Sequence, residues 1–478
     1  MAGAISFSGL GSGMDTKSIV DALVRVERAP INALNKKRQN LSRHQRIYND
    51  VSGLLKNLQS ESETLKTTKD FFVYKSSSSN TDALKVSAGG DAIPGNYDLY
   101  VESLASAQRD YSATQSSKTD ALGIAGTFTI KVAEGTADAT SVDVTVSSDM
   151  TLSTLASAIN SASAGVTAGI MYDGTNYRLQ ISGESTGSAN AITYSYANTT
   201  GNIQTTLGLS TVKSASNASI FIDPSYSGGV PAVDGNGDPT TGFKVSRDSN
   251  TITDLLPGIN LDLVSAGQST VEIKQDEDGI VGVVESLLDK YNRIAYRLKD
   301  ELKYKGYRDP GRLQGDMTLR ALQSDMAGLV SAPIANHGGT YDSFPVAGIK
   351  SGENGNLVLD RTVFLEALRE KPADVAKLFI SDSAAGTTGM ADAFETLVDN
   401  YTLLGEGSLW VKDDSITKQQ KNIDDRIVGL EKRLDAYRDR LNKQFWRMEE
   451  VVMKMNSQNQ YLAQLGAMSM PSGQPQQG

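Results

Sequence analysis

SITKQQKNIDDRIVGLEKRLDAYRDRLNKQFWRMEEVVMKMNSQNQYLAQL, residues Ser415 to Leu465, is the stretch whose reading decides the fold. Alternate steps of four and three from Ile416 land on Gln420, Ile423, Ile427, Leu430, Leu434, Tyr437, Leu441, Gln444, Met448, Val451, Met455, Gln458, Leu462 and Leu465. All but the three glutamines are apolar or aromatic. A 3.5-residue repeat held over about seven heptads describes one helix of about 75 Å, at 1.5 Å per residue, with a narrow greasy seam. Asp424, Arg426, Glu431, Arg433, Asp435 and Arg438 fall between the seam positions and mix both signs, as on a solvated face. Such a seam is a structural device, and it needs a partner helix.

A second seam lies near the other end of the chain. The same stepping picks out Leu34, Lys37, Leu41, His44, Tyr48, Val51, Leu55, Leu58, Ser62 and Leu65, and no proline occurs from Ile31 to Ile93. Before it, Asp15 or Thr16 can cap a short helix carrying Ile19, Leu23 and Val26, which Pro30 interrupts or restarts. Neither seam has a partner nearby in sequence, so the simplest expectation is that the two ends lie against each other. The residues expected to carry this pairing are Leu34, Leu41, Tyr48, Leu55, Ile423, Ile427, Leu430, Leu434, Leu441 and Met448. His44 reads as a partly buried seam residue rather than a base or ligand. A heptad seam that closes within one chain and one that closes between chains look alike.

The middle is a different kind of polypeptide. Residues 76–275 carry 9 Lys and Arg against 19 Asp and Glu, whereas the remainder balances 37 against 37. This acidic, charge-poor insertion argues against nucleic acid and anionic lipid as partners. Its alternating runs read as strands: Leu84–Val86, Tyr97–Val101, Thr127–Val132, Ser141–Val146, Val166–Tyr172, Tyr177–Ile181, Ile192–Tyr196, Ala218–Ile222, Ile259–Val264 and Thr270–Lys274. Asp173-Gly174 marks a hairpin turn and Thr151–Ile159 a single helix. Two β-rich modules, the second nested in the first, follow a serine-rich linker at Lys75–Asn80. Helical periodicity resumes at Ile280, with a hairpin at Ile349–Leu359.

The expected fold class is therefore α+β multidomain: an antiparallel helical coiled coil or bundle of the two termini, with two nested β-rich domains inserted between them. The expected division is a leader and short helix over 1–33, a long helix over 34–75 and an outer β domain over 76–120 and 206–275. A nested β domain covers 121–205, a helical region 276–409, the coiled-coil helix 410–466 and a disordered tail 467–478.

Catalytic chemistry finds little support. Cysteine is absent and His44 and His337 stand alone, which excludes disulfides and thiolate nucleophiles and argues against a zinc site. Gly9, Gly11 and Gly13 follow no strand and miss the spacing of a dinucleotide loop. Asp234, Asn236 and Asp238 resemble the start of a calcium loop, but Pro239 and Val245 stand where glycine and glutamate are needed. Ser415-Ile-Thr-Lys418 matches a serine-lysine motif, but reads as the cap of a helix start. Neither cofactor nor metal is expected. No window approaches eighteen consecutive apolar residues and the first thirteen lack a secretory signal, so neither membrane insertion nor a cleaved leader is expected.

Three separated stretches resemble the flagellar hook-associated protein 2 family. The leader Phe7-Ser-Gly-Leu-Gly-Ser-Gly-Met-Asp-Thr16, with Ile19-Val-Asp-Ala-Leu-Val and Glu27-Arg-Ala-Pro30, is similar to its N-terminal signature. Leu313-Gln-Gly-Asp316, Gly355-Asn-Leu-Val-Leu-Asp360 and Ala367-Leu-Arg-Glu-Lys-Pro-Ala-Asp-Val375 are similar to its C-terminal region, and Leu441-Asn-Lys-Gln-Phe445 with Met448–Leu462 to its last helix. The resemblance implies a filament cap that is made in the cytoplasm and exported unfolded without a cleaved signal. Such a cap forms a homo-oligomeric ring at the distal tip of the flagellum. Its helical ends would insert among flagellin subunits, its β domains would close the channel, and emerging flagellin would fold beneath it. The implied partners are the chain itself, flagellin, the hook–filament junction proteins and a cytoplasmic export chaperone on the C-terminal helix, with mucin or a host surface as a further partner. The rival expectation is an adhesive fibre or tail-like structural protein binding surface ligands.

Overall fold

The protein is described by a computed structural model covering residues 13–303, 313–353 and 355–468. Two compact units divide it: Met1–Glu63 together with Glu285–Gly478, and Thr64–Val284. The first twelve residues of the leader and the tail over 469–478 lie outside the described residues.

The chain opens with α1 (Thr16–Glu27) and α2 (Ala29–Glu63). The Asp15 carboxylate accepts from the Ser18 N–H and so caps α1. Pro30 sits in the first turn of α2, where its missing N–H costs nothing.

The second unit follows. α3 (Thr68–Phe71) leads into β1 (Tyr74–Ser78), β2 (Leu84–Ala88) and β3 (Gly95–Ser103). Next come β4 (Arg109–Tyr111), β5 (Ala125–Val132), β6 (Thr140–Val146), α4 (Leu152–Ser161), β7 (Val166–Tyr172), β8 (Tyr177–Gly183), β9 (Ile192–Thr200), α5 (Ile203–Leu207) and β10 (Ser210–Lys213). This set is spliced between β3 and β11 (Ala218–Ile222). β12 (Tyr226–Ser227), β13 (Val230–Pro231), β14 (Phe243–Arg247), β15 (Thr251–Leu256), β16 (Ile259–Leu263) and β17 (Gly267–Gln275) complete it.

The nesting is visible in the sheets. The outer module holds a five-stranded sheet, β1-β17-β3-β11-β14, and a three-stranded sheet, β15-β16-β2. Leu99, Val101, Ile220, Ile222, Leu261 and Val271 form its core. The inner module holds β10-β4-β8-β7 and β6-β5-β9 around Phe128, Ile130, Leu155, Leu179 and Ile181. β3 and β11 are direct neighbours, Tyr100 opposite Phe221, so the inner module leaves and rejoins the outer one between adjacent strands. Period-2 alternation sets the facing: in β5 Phe128, Ile130 and Val132 are buried while Thr127, Thr129 and Lys131 look outward. At the β7–β8 hairpin Gly174 takes φ +98°, and the Asp173 carboxylate accepts from the Thr175 and Asn176 N–H groups.

α6 (Glu277–Leu302) carries the boundary between the units at Val284 and Glu285. The helical unit continues through α7 (Met317–Ser331), β18 (Ile349–Ser351), β19 (Leu357–Leu359), α8 (Arg361–Glu370), α9 (Pro372–Ala376), α10 (Met390–Thr402) and α11 (Ser408–Met468). Its core joins Tyr291 to Phe394, ring centroids 6.0 Å apart, and Phe344 to Phe379 at 5.3 Å. Burial pushes the Tyr291 hydroxyl up to about 12. The Asn292 amide braces the β18–β19 hairpin through both the N–H and the C=O of Leu357.

Several expectations are corrected here. Lys75–Ser78 is strand, not linker, because β17 supplies the ladder: Ser76 faces Ile273 and Ser78 faces Val271. The long N-terminal helix stops at Glu63. Ser415 caps nothing, since α11 begins a full two turns earlier at Ser408, and its hydroxyl accepts from the Gln419 side chain. The short strands β4 and β10 carry no clear alternation, and β12, β13 and β14 were not expected either.

Candidate assembly surface

The two terminal helices run antiparallel. Arg38 pairs with Asp424 (2.8 Å), the Gln420 amide donates to Ser42 Oγ (3.0 Å) and the Gln45 amide to Thr417 Oγ1 (3.1 Å), so each step forward along α2 is met by a step back along α11. Running on from these polar contacts toward the start of α2 is one apolar cluster of Ile31, Ile423, Ile427 and Leu434, with Val24, Leu34, Leu41 and Leu430 packed against it. Six of the ten seam residues expected from the sequence therefore meet here. Leu55 is fully buried in the half of α2 that meets α10, where the Gln59 amide donates to Asp399. Leu441 and Met448 are half-buried.

Ile31 and Val24 belong to this contact and were missed. Val20, Val24 and Ile31 follow the same four-and-three spacing, but Ile19, Leu23 and Val26 form an equally apolar stripe on α1, and sequence alone does not separate the two. The structure turns Thr16 and Val20 inward and leaves Ile19, Leu23 and Val26 exposed. α1 thus presents two apolar stripes and buries one of them.

A polar cluster sits where α2, α6, α7 and α11 converge. The Tyr48 hydroxyl donates to Asp316 Oδ2 (2.6 Å), while Oδ1 of the same carboxylate caps α7 by accepting from the Leu319 N–H. Lys412 of α11 lies 3.7 Å from Asp316, and Arg297 bridges Asp50 and the buried Glu301. His44 lies in this cluster. Burial holds its imidazole below the ordinary range, against the opposing pull of Asp316 and Glu301 and with the help of Arg43. Burial and the bond to Asp316 raise Tyr48 well above the usual phenol range, so it remains a donor. These groups fasten the helices to one another.

Past this contact the seam opens to solvent. On the seam Val451 is 56% exposed, Met455 57% and Leu462 63%, with Leu465 also exposed, and off the seam Trp446 and Tyr461 are exposed on the same helix. Among the described residues, α1 begins at Thr16 and the antiparallel register brings nothing opposite the last turns of α11.

Models of known families match almost end to end. The flagellar hook-associated protein 2 N-terminus matches residues 12–108 and the flagellar hook-associated protein 2 C-terminus residues 233–457, with a flagellin hook IN motif over 127–185 between them. The chain belongs to the flagellar hook-associated protein 2 family. It is thus one of the structural, non-enzymatic proteins of the bacterial flagellar filament cap. The hook-associated protein 2 of Escherichia coli is 25% identical over 476 residues, covering 96% of this chain and 98% of the relative. The B-type protein of Pseudomonas aeruginosa is 28% identical over 387 residues, covering 78% and 79%. The crystal structure of the D1-D2-D3 domains of the Escherichia coli flagellar cap protein has the same fold, with a TM-score of 0.63 at 23% identity, covering 77% of this chain and 99% of that one. The IN-motif match falls within the inner module, on β5 to β8.

Proposed function

We propose that this chain is the repeating subunit of a homo-oligomeric cap at the distal tip of the flagellar filament, outside the cell. The helical unit inserts among flagellin subunits and the β unit closes the channel, so that exported flagellin is retained, folds and adds beneath the cap. The residues that carry leg pairing are Leu34, Leu41, Tyr48, Leu55, Ile423, Ile427, Leu430, Leu434, Leu441 and Met448. The hook–filament junction proteins are its neighbours at the start of assembly, and an export chaperone takes the C-terminal helix before secretion.

One observation supports this reading above the rest. The terminal helices pair within the chain through Ile31, Ile423, Ile427 and Leu434, while α11 runs on with Trp446, Val451, Met455 and Leu462 uncovered. A rod that is self-sufficient at one end and apolar at the other suits a part that docks into a larger assembly. Deleting the gene from its host tests the reading. Flagellin monomer should accumulate in the medium without filaments, and the intact chain should restore them. Filaments of normal length on the deletion strain would contradict the cap role and favour a surface-binding fibre.

A further inference from the structure

With no cysteine, the chain's sulfur chemistry is that of its twelve methionines. Burial sorts those that are described. Met326 and Met390 lie inside the helical unit at 2% and 4% exposure, whereas Met317, Met453 and Met455 stand at 75%, 50% and 57%. The last two share α11 but not a face. Met455 continues the seam one heptad beyond the half-buried Met448, while Met453, two residues and about 200° away, points to the other side. A thioether is oxidised according to its access to solvent, and its sulfoxide is polar where the thioether was apolar.

We propose that Met455, with Met448 behind it, is a reversible peroxide-oxidation site, and that sulfoxidation there disables the open end of the terminal seam. The inference rests on the reading of that seam as an assembly surface. In the step itself the thioether sulfur attacks one oxygen of hydrogen peroxide and the O–O bond breaks. The oxygen stays on sulfur as the sulfoxide, and the other oxygen leaves as water with both hydrogens. Sulfur is oxidised by two electrons and peroxide is reduced by two. Methionine sulfoxide reductases reverse the change. Seating the sulfoxide in an apolar seam desolvates a polar group without a partner, which weakens association roughly tenfold.

The test treats the full-length chain with hydrogen peroxide. It follows oxygen addition to each methionine by peptide mass and self-association by sedimentation. Met317, Met453 and Met455 should take up oxygen well before Met326 and Met390. Self-association of the oxidised chain should weaken roughly tenfold and return after treatment with the reductases. Each variant is compared with its own untreated state: peroxide should not change the association of the Met448→Leu/Met455→Leu chain, while it should weaken that of the Met317→Leu/Met453→Leu chain as it does the parent's. Full oxidation of Met455 with unchanged association overturns the proposal alone, as does equal sensitivity of the Met448→Leu/Met455→Leu chain. An unoxidised chain that never self-associates overturns the assembly reading, and the proposal with it.

Discussion

Leu434 and Leu465 both lie on the seam of one helix and differ in what lies opposite. Leu434 is 7% exposed against the α2 side of the pair, and Leu465 is 49% exposed. Leu434→Ala should therefore cost the helical unit about 2 to 5 kcal/mol in denaturant unfolding, from lost transfer energy plus a cavity. Leu465→Ala in the isolated chain should stay within about 0.5 kcal/mol. Equal costs at the two positions would remove the distinction between closed and open seam. His44 makes a pH prediction. Its folded-state proton affinity is lowered by burial, so as pH falls through its unfolded value near 6.5 the unfolded chain takes up the proton first. Stability present above that pH is lost on acidification, and thermal unfolding of His44→Asn should show a shallower fall on the acid side than the parent. Identical slopes would mean that His44 contributes nothing. At this scale the heptad stepping was legible because apolar spacing is a local property. The buried Asp110 was not. Its carboxylate is held by the Gln108 amide and the Tyr194 hydroxyl, and Tyr194 is remote in sequence.

Elements were legible where their own residues set the period and illegible where a neighbouring strand or helix did. β5 and β16 alternate cleanly and were expected as strands, whereas the Lys-Ser run of β1 and the short β10 become strands only because β17 and β4 offer unpaired ladders. α1 failed for a different reason: its two apolar stripes are equivalent in sequence, and α11 selects between them by register. The close approach of β5 to β9 depends on Gly126, which has φ +144° and whose added Cβ would lie 2.0 Å from the Ala197 carbonyl oxygen. Backbone cannot yield to that overlap as a flexible side chain could. Gly126→Val should open the β5–β9 edge and melt the inner module well before the parent, while the helical unit keeps its own transition. A single unshifted transition in calorimetry would show that this approach carries no constraint.

For the whole molecule, the division into a charge-balanced helical unit and an acidic β unit followed from composition alone, because 28 charges in 200 residues is a different texture from 74 in the other 278. The place of the cut was less legible: α6 begins within the β unit at Glu277, with the Asp276 carboxylate accepting from the Gly279 N–H, and no change of texture marks Val284. Everything proposed for the assembly depends on the two ends of one chain closing on each other. Spin labels at Gln45→Cys and Thr417→Cys, in a protein with no other cysteine, measure this directly by pulsed electron resonance. The pairing predicts a single short distance, since packed helix axes lie about 8–10 Å apart, unchanged when labelled chains are diluted with unlabelled ones. A long distance, or a short one that fades on dilution, would contradict it.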